Sequence, residues 1–559
     1  MKKFFALSVL LIFSSHFFAQ EKINFWSNIP DEELAQKLVD KMTDAELLSQ
    51  ILMFGWAGQE PSDLLNSWVS QRGLGSVKVF GWNTDDTKKV AKSVKLLQEK
   101  AQKRPLQIPL FVATDQEGGW IRHVKGDTSD TPGNMAIGAS GFPMDAYYSG
   151  YYINREIRAL GINMNFAPTV DIYTNLESTV IGPRSFGADA KSVAVLGEAF
   201  AQGSLAAGVI PTAKHFPGHG DTSLDSHGRL PEIDVDADTL ENRELVPFKY
   251  LIESQIPAIM SGHLYLPEIE TEGRPASLSK KILTDLLRKK MGYTGLIITD
   301  DMQMNGATLY AGSFHRAVML AIEAGNDIVI SSETANLNDS VWTRNLDRVR
   351  DNAEFKSRVK DAARRVVLEK LKYFKGSNHA PLFPDENTLS DFVPDKEGQK
   401  FFLEQACRSI SFQKRGELFP YKPDSSEKIL ICGPFTSLFN EGKKRYPSAD
   451  TFYFSYKLRD DMENFGMWNA DGLEWTARRY DTIIILVYDK HTANIARRLR
   501  NSGKHIIILS VLSPVFVLED FDFADTILCG YSYSDYSFAA LFGALHGEFS
   551  VRGTIPLLR

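Results

Sequence analysis

Cysteine is scarce in this chain, with three among 559 residues, and Cys407, Cys432 and Cys529 all lie in the last third. A disulfide framework is therefore excluded, and at most one intrachain disulfide is possible. An excess of positive charge is also missing, because 63 Lys and Arg residues stand against 70 Asp and Glu residues, a formal net charge of −7. This balance argues against a nucleic-acid-binding protein, which typically shows a basic excess or a basic face.

Long apolar runs are also rare. One run covers residues 4–13, follows Met1-Lys2-Lys3 and precedes small and polar residues up to Ala19. It is too short to span a bilayer, which needs about 20 apolar residues. A basic start, a short apolar stretch and a small residue near position 19 are typical of a secretory signal peptide. We therefore expect residues 1–19 to be a cleaved signal, the chain to lack a membrane span, and the protein to be exported, either periplasmic or secreted.

Between residues 50 and 332, eight short apolar runs alternate with amphipathic helical stretches. Strands that alternate with helices predict a parallel sheet, and eight such units fit a (β/α)8 TIM barrel better than an open sheet. The predicted strands are Ile51–Phe54, Ser76–Phe80, Leu110–Thr114, Asn163–Phe166, Ile210–Lys214, Ala258–Ser261, Leu296–Thr299 and Asp327–Ser331. The fold class is therefore α/β.

A second, smaller domain is predicted after the barrel. One long polar helix, roughly Leu337 to Phe374, closes the barrel, and the Pro-, Gly- and Asn-containing segment 376–399 is typical of a linker. Four further apolar strands between residues 428 and 530 alternate with helices and predict an α/β sandwich. The expected organisation is a signal peptide at 1–19, a barrel at 20–375, a linker at 376–399 and the α/β sandwich domain at 400–559.

Polar side chains follow five of the predicted barrel strands. They are Asp115 after the third strand, Asn165 and Asp171 after the fourth, Lys214 and His215 on the fifth, His263 after the sixth, and Asp300-Asp301 after the seventh. Barrel proteins hold their functional sites at the carboxyl ends of the strands. We therefore expect these residues to meet around one cavity.

The densest polar segment is the glycine-rich loop KHFPGHGDTSLDSHGR, residues 214–229. His215, His219, Asp225 and His227 leave a zinc site open as an alternative, although their spacing does not match a helical HExxH pair. Asp225 and His227, two residues apart, fit a different task better. A carboxylate that accepts from one imidazole nitrogen orients the ring and leaves the other nitrogen to transfer protons.

The seventh strand ends in two carboxylates, Asp300 and Asp301. Neighbouring residues of a strand point to opposite sides, so only one of the two is expected to face the mouth of the barrel. We expect Asp301 to cap the following helix and Asp300 to be a nucleophile. One carboxylate on a fixed strand, with a mobile proton donor opposite, is typical of a retaining glycosidase.

Five motifs together resemble the β-N-acetylglucosaminidase branch of glycoside hydrolase family 3. They occur in the family's order, cover roughly residues 25–375, and read TDQEGG (114–119), NFAPTVD (165–171), IGPRSFG (181–187), KHFPGHGDTSLDSH (214–227) and TDDM (299–302). Residues 400–559 resemble the family's α/β sandwich domain more loosely. The resemblance implies removal of terminal non-reducing β-linked N-acetylglucosamine from peptidoglycan fragments or related glycans, with no metal and no cofactor.

The resemblance also implies a role for each matching residue. Asp300 is the expected nucleophile, forming a covalent glycosyl-enzyme, and His227 is the expected acid/base, paired with Asp225. The expected substrate-binding residues are Asp115, Arg184, Lys214, His215 and His263. The chain departs from the family at Trp120, where an Arg is usual. Trp120 either packs or offers a sugar platform, and Arg122 is the candidate replacement for the missing guanidinium.

Four other functions stay open at this stage. A β-glucosidase or β-xylosidase of the same family takes a catalytic Glu from the second domain, and a phosphorylase transfers the sugar to phosphate. A catalytically inactive carbohydrate-binding protein is the alternative outside the enzymes, since fold alone does not guarantee activity. Every alternative shares a carbohydrate partner, and the sequence predicts no oligomeric state.

Overall fold

Eight parallel strands pair in chain order and close into a barrel, which confirms the predicted fold class. The computed structural model describes residues 23–178, 180–222, 230–454 and 472–557, so the predicted signal peptide lies outside the described residues. The barrel strands are β1 (Leu52–Phe54), β2 (Ser76–Lys78), β3 (Phe111–Thr114), β4 (Met164–Asn165), β5 (Ile210–Phe216), β6 (Ala258–Ser261), β7 (Leu296–Asp301) and β8 (Ile328–Ser331).

The barrel strands are buried on both faces because helices cover the outside of the sheet. In β7, for example, four buried residues precede two carboxylates that reach the mouth half-exposed. The barrel-side helical segments are Asp31–Lys41, Asp44–Gln50, Asp63–Ser67, Thr87–Gln102, Asn134–Ser140, Pro143–Ala159, Ala190–Ala206, Ala237–Thr239, Leu240–Glu244, Val246–Glu253, Lys281–Lys290, Asn305–Ala311, Phe314–Ala324, Ser340–Asp351 and Ala353–Phe374.

The prediction of one long helix from Leu337 to Phe374 is wrong, because the structure has two helices there, Ser340–Asp351 and Ala353–Phe374. Asn352 separates them in an extended conformation, and its side-chain oxygen accepts a hydrogen bond from the amide of Phe355 at 2.8 Å. Asparagine is among the preferred helix N-caps, since its short side chain replaces a missing backbone partner. The buried positions jump by six residues from Val349 to Phe355, a spacing that does not belong to one helical face and that marks the break in the sequence.

The second domain contains a six-stranded sheet in the order β9-β14-β13-β12-β10-β11. Its strands are β9 (Ser411–Lys414), β10 (Ile429–Gly433), β11 (Asp450–Tyr453), β12 (Thr482–Val487), β13 (His505–Ser510) and β14 (Thr526–Cys529). β9 runs antiparallel to β14 and the other pairs are parallel. Its helices include Lys396–Ser409, Thr436–Arg445, Lys490–Arg497 and Asp535–His546. The first of these begins inside the predicted linker.

The second domain packs directly on the barrel. Arg408 forms an ion pair with the buried Asp145 at 2.6 Å. The end of the chain returns to the barrel, where the amide of Thr554 donates to the carbonyl of Ala139 and the carbonyl of Pro556 accepts from Ala188, both at 2.9 Å. The second domain therefore holds the segment that follows Arg184.

All three cysteines are free thiols, and Cys432 and Cys529 are buried. Within the described ranges, every helix is too short or too polar to cross a membrane.

Candidate active site

A cavity of about 440 Å³ opens at the carboxyl-terminal mouth of the barrel. The described residues that line it are Lys78, Phe80, Trp82, Asp115, Glu117, Ile121, His123, Val180, Arg184, Lys214, His215, His219, Asp300, Asp301, Gln303, Met304 and Ser332. All of them belong to the barrel, and of the described residues of the second domain none lines the cavity. The structure thus offers no described carboxylate from the second domain, which the β-glucosidase alternative requires.

Asp115 lies between two lysines on the floor of the cavity. One carboxylate oxygen accepts from the ammonium of Lys214, and the other lies 2.8 Å from that of Lys78. Burial alone would raise the pKa of Asp115, but the two lysines outweigh it and hold this pKa well below its ordinary value. Asp115 is therefore a carboxylate with fixed acceptor oxygens, suited to sugar hydroxyl groups.

Glu117 binds two cations at the same time. Its carboxylate accepts from Nε and Nη2 of Arg184 at 3.0 and 2.8 Å, and it lies 2.7 Å from the Lys214 ammonium. Burial raises the pKa of Glu117, but Arg184 and Lys214 outweigh this and lower it to about 2. Fork-shaped pairing fixes the guanidinium plane, so Arg184 presents its remaining donor atoms in one orientation.

Asp171 orients His215. It accepts from Nδ1 of His215 at 2.7 Å and from the backbone amides of His215 and His219 at 3.1 and 2.7 Å. Because a carboxylate only accepts, Nδ1 of His215 carries a proton, and Nε2 lies 3.4 Å from Nη2 of Arg184. His215 is thereby held at the wall of the cavity in one orientation.

Asp300 lies at the end of β7 and borders the cavity. Burial raises its pKa, but His215, His263 and Lys78 outweigh this and lower it to about 2. One of its oxygens accepts from the amide of Asp301 at 2.7 Å. Among the described residues the other oxygen has no hydrogen-bond partner. Asp300 is thus an ionised carboxylate with one oxygen that no described residue binds, which is compatible with a nucleophile.

Asp301 lines the cavity together with Asp300, so the expectation that only one of the two faces the mouth is wrong. Asp301 is also not the N-cap of the next helix, contrary to the prediction. Its carboxylate accepts from the amides of Gln303 and Ser332, both at 3.0 Å, whereas the next helix begins at Asn305 after an uncapped Met304. These bonds join the turn after β7 to the turn after β8. Asp301 therefore holds the rim of the cavity together.

His263 does not line the cavity, although it was expected to. Its Nδ1 lies 2.7 Å from the hydroxyl of Ser277, and its Nε2 donates to the carbonyl of Asp301 at 3.0 Å. Both ring nitrogens are occupied, so the buried ring supports the Asp300–Asp301 turn instead of contacting a ligand.

Two other histidines line the cavity with ring nitrogens that have no hydrogen-bond partner among the described residues. Neither ring nitrogen of His219 has a partner within the described part of the chain, and Nδ1 of His123 lies 3.5 Å from Asp115 without bonding to it. Burial lowers the pKa of both rings to about 4. At neutral pH these histidines are uncharged and cannot serve as proton donors. The expected donor His227 and its partner Asp225 lie outside the described residues.

Among the described residues, no group of three His, Cys, Asp or Glu side chains is arranged to hold a metal ion. The zinc alternative includes Asp225 and His227 and therefore stays untested.

Three residues that the sequence analysis considered do not line the cavity, and each has a packing or hydrogen-bonding role instead. Asn165 is fully buried, accepts from the amide of Gln116 at 3.0 Å and donates to the carbonyl of the same residue. Trp120 packs against the core of the second domain and does not line the cavity. Arg122 donates to the carbonyl of Thr128 at 2.6 Å and does not line the cavity.

Lys78, Glu117 and His123 are lining residues to which sequence reasoning gave no role. Glu117 lies two residues after Asp115, and this separation places both side chains on the same side of an extended segment. Lys78 is a charge in the middle of the apolar run Ser76–Phe80, and a lysine in a buried strand needs a buried partner. Both signals were present in the sequence.

A closed barrel with a charged, carboxylate-lined cavity at its carboxyl-terminal mouth defines the class of (β/α)8 barrel proteins with a polar ligand site. Residues 37–368 match the family model described as the glycosyl hydrolase family 3 N terminal domain. Because this match covers more than half of the chain, the protein belongs to glycosyl hydrolase family 3.

Known relatives agree with this placement. The chain is 38% identical over 285 residues to beta-hexosaminidase A of Pseudoalteromonas piscicida, covering 48% of this chain and 47% of that protein, so the match spans about half of the relative's length. It is 34% identical over 261 residues to a beta-hexosaminidase of Tolumonas auensis, covering 46% of this chain and 75% of that protein. A family 3 beta-N-acetylglucosaminidase from a Paenibacillus species superposes with a TM-score of 0.80 at 26% identity, covering 92% of this chain and 99% of the other.

Proposed function

We propose that this protein is an exported, retaining exo-β-N-acetylglucosaminidase that removes terminal β-linked N-acetylglucosamine from peptidoglycan fragments or related glycans. The observation that carries the proposal is Asp300, an ionised carboxylate with one oxygen available in the cavity. The family membership and the names of the relatives support the same chemistry.

In this proposal the sugar binds over the Asp115, Glu117, Lys214 and Arg184 network. The network holds two carboxylates and two cations in a fixed arrangement, so hydroxyl groups meet donors and acceptors that need no reorganisation. Asp300 attacks the anomeric carbon, the bond to the leaving oxygen breaks, and a covalent glycosyl-enzyme forms. Water then releases the sugar with the original configuration.

The proton for the leaving oxygen is assigned to His227, oriented by Asp225. The described lining supports this assignment indirectly, because Asp115, Glu117 and Asp300 all have lowered pKa values. His219 and His123 also have lowered pKa values. An imidazole with an ordinary pKa near 6.5 is protonated for the first step and neutral for the second.

The test is product analysis with a panel of aryl β-glycosides and purified cell-wall fragments. The proposal predicts release of N-acetylglucosamine, with β-anomer as the first product seen by proton NMR. First appearance of the α-anomer, or preference for an aryl glucoside, contradicts it. Formation of a sugar 1-phosphate in phosphate buffer establishes the phosphorylase alternative instead.

A further inference from the structure

A second groove of about 510 Å³ lies next to the catalytic cavity, a volume typical of ligand sites. Its described lining consists of Ala57, Gly58, Ser62, Leu64, Trp82, Ser332, Glu333 and Thr334. Trp82 and Ser332 line both the groove and the catalytic cavity. The two spaces are therefore neighbours that share one wall.

The groove and the sugar-binding network occupy different arcs of the barrel rim. The groove residues follow β1, β2 and β8, which are adjacent in the closed sheet. Most of the charged network follows β3 to β5, on the other side of the mouth. The next unit of a substrate whose terminal sugar lies on the network can reach the β8-β1-β2 arc, because Trp82 and Ser332 border both spaces.

Trp82 is a large exposed side chain with a fixed orientation. It is 54% exposed, yet its ring is stacked on Phe80 with centroids 4.5 Å apart and an interplanar angle of 2°. Its indole nitrogen donates to the carbonyl of Trp56 at 2.8 Å, which fixes rotation within the ring plane. One face of the indole is thus covered by Phe80, and the exposed area is available to a ligand.

An indole face suits a pyranose ring, because the C–H hydrogens of the sugar carry small positive charges and the aromatic face is negative. The groove also has a charge preference. Its described lining includes one carboxylate, the exposed Glu333, and no Lys or Arg. A neutral sugar is compatible with this lining, whereas a sugar bearing a carboxylate meets a like charge.

We propose that this groove, with Trp82 as its platform, binds the leaving-group sugar and favours a neutral N-acetylhexosamine over a carboxylate-bearing one. The proposal rests on the proposed function and narrows its substrate class to neutral amino-sugar chains. Of the substrates named in the proposed function, it therefore favours the neutral related glycans over peptidoglycan fragments with a carboxylate on the leaving sugar. It also transfers to Trp82 the platform role that the sequence had suggested for Trp120.

The test compares two substrates that share the terminal sugar. N,N′-diacetylchitobiose has a leaving-group sugar, and N-acetyl-β-glucosaminyl fluoride has none. Trp82→Ala is expected to raise KM for chitobiose about tenfold. KM for the fluoride should rise only about twofold. Trp82→Phe keeps a stacked ring and recovers most of the loss, and Trp475→Ala, an exposed tryptophan of the second domain, is the matched control.

Equal losses on both substrates, or no loss for Trp82→Ala, overturn the platform assignment. A thermal unfolding midpoint close to that of the wild type shows that Trp82→Ala is folded. For the charge preference, a disaccharide whose leaving sugar carries a lactyl carboxylate should give kcat/KM about tenfold below chitobiose, and Glu333→Gln should narrow this gap. Equal use of the two disaccharides by the wild type contradicts the neutral assignment.

Failure of the proposed function gives a different result. A wild-type protein that hydrolyses none of the three substrates contradicts the proposed function alone. Calorimetric binding of chitobiose then tests the groove separately, because weaker binding by Trp82→Ala supports the platform and unchanged binding overturns it.

Discussion

The barrel and the second domain build their cores from the same kind of strand but use the strand ends differently. β7 and β12 are both isoleucine-rich runs of buried residues. β7 ends in Asp300-Asp301, whereas β12 ends in Val487 and continues into Tyr488. The strand ends of a barrel converge on one ring, and those of an open sheet lie along an edge. Closure therefore brings the charged ends together over a cavity.

The charges of the two regions also differ in burial. Asp115, Glu117 and Lys214 are buried and joined in one network at the barrel mouth. In the second domain, pairs such as Arg445–Glu548 lie near solvent, with Glu548 44% exposed. Exposed pairs contribute little to stability, whereas a buried charge that loses its partner is costly. In the barrel, the charged side chains that line the candidate site therefore also affect stability. In the second domain, the exposed ion pairs have neither role.

The largest expected effect comes from the strand-end carboxylates. Asp300→Asn removes the proposed nucleophile with little change in shape, so kcat/KM on an aryl β-N-acetylglucosaminide should fall about 10⁴-fold or more. Asp489→Asn is the matched control, because Asp489 follows β12 in the second domain and caps the helix Lys490–Arg497. Its activity should equal that of the wild type. If the two variants have equal activity, the strand-end carboxylates of the barrel and of the second domain do not differ in function.

His227→Ala tests the proton donor. Substrates with poor leaving groups need protonation, so their kcat/KM should fall about 10³-fold, whereas activated aryl substrates should lose about tenfold. His219→Ala is the control within the cavity, since a ring with a pKa of about 4 is not a donor at neutral pH. Its losses should not depend on the leaving group. If the loss depends on the leaving group in His219→Ala and not in His227→Ala, the proton donor is His219.

Glu117→Gln tests the coupling of charge and stability. The change leaves Lys214 and Arg184 buried without one of their counter-charges, and the free energy of unfolding should fall by about 3–5 kcal/mol. Glu548→Gln removes an exposed partner and should cost less than about 1 kcal/mol. Urea denaturation of both variants measures the difference. A small loss in Glu117→Gln means that the network does not stabilise the barrel.

The same residue gives a pH dependence. The folded pKa of Glu117 is about 2 against an ordinary value of 4.5, so its stabilisation is present above pH 4.5 and is lost as the pH falls towards 2. The loss should be about 3 kcal/mol over this window. For Glu117→Gln, the free energy of unfolding measured against pH should fall by about 3 kcal/mol less over the same window. Parallel curves for variant and wild type contradict the assignment.

The smallest effect is expected at Trp120. It packs on the second domain, so Trp120→Phe should lower the free energy of unfolding by about 1 kcal/mol. KM should stay within about twofold of the wild type, because Trp120 does not line the cavity. A large rise in the KM of Trp120→Phe would instead indicate that Trp120 contacts the substrate as a sugar platform.

The strands of both domains could largely be predicted from the sequence, because a buried strand is a run of apolar residues whatever its partners are. The eight barrel strands and the strand-end positions of Asp115 and Asp300 follow from that pattern. The break at Asn352 was missed, because it depends on a local capping bond and on a six-residue step between the buried Val349 and Phe355.

The site could be predicted only in part. Lys78 and Glu117 contact partners distant in sequence, and only barrel closure brings these together. His263 was expected in the pocket because its strand ends there, but Ser277 and Asp301 occupy both ring nitrogens. Which groups bind these side chains depends on three-dimensional packing. The position of a residue at the end of a strand does not predict it.

Trapping of the covalent intermediate tests the central claim most directly. A slow substrate, 5-fluoro-N-acetyl-β-glucosaminyl fluoride, should leave its sugar on the enzyme, and peptide mass spectrometry should locate the added mass on Asp300. An added mass on another residue, or full turnover with no trapped adduct and an inverted product, contradicts the account.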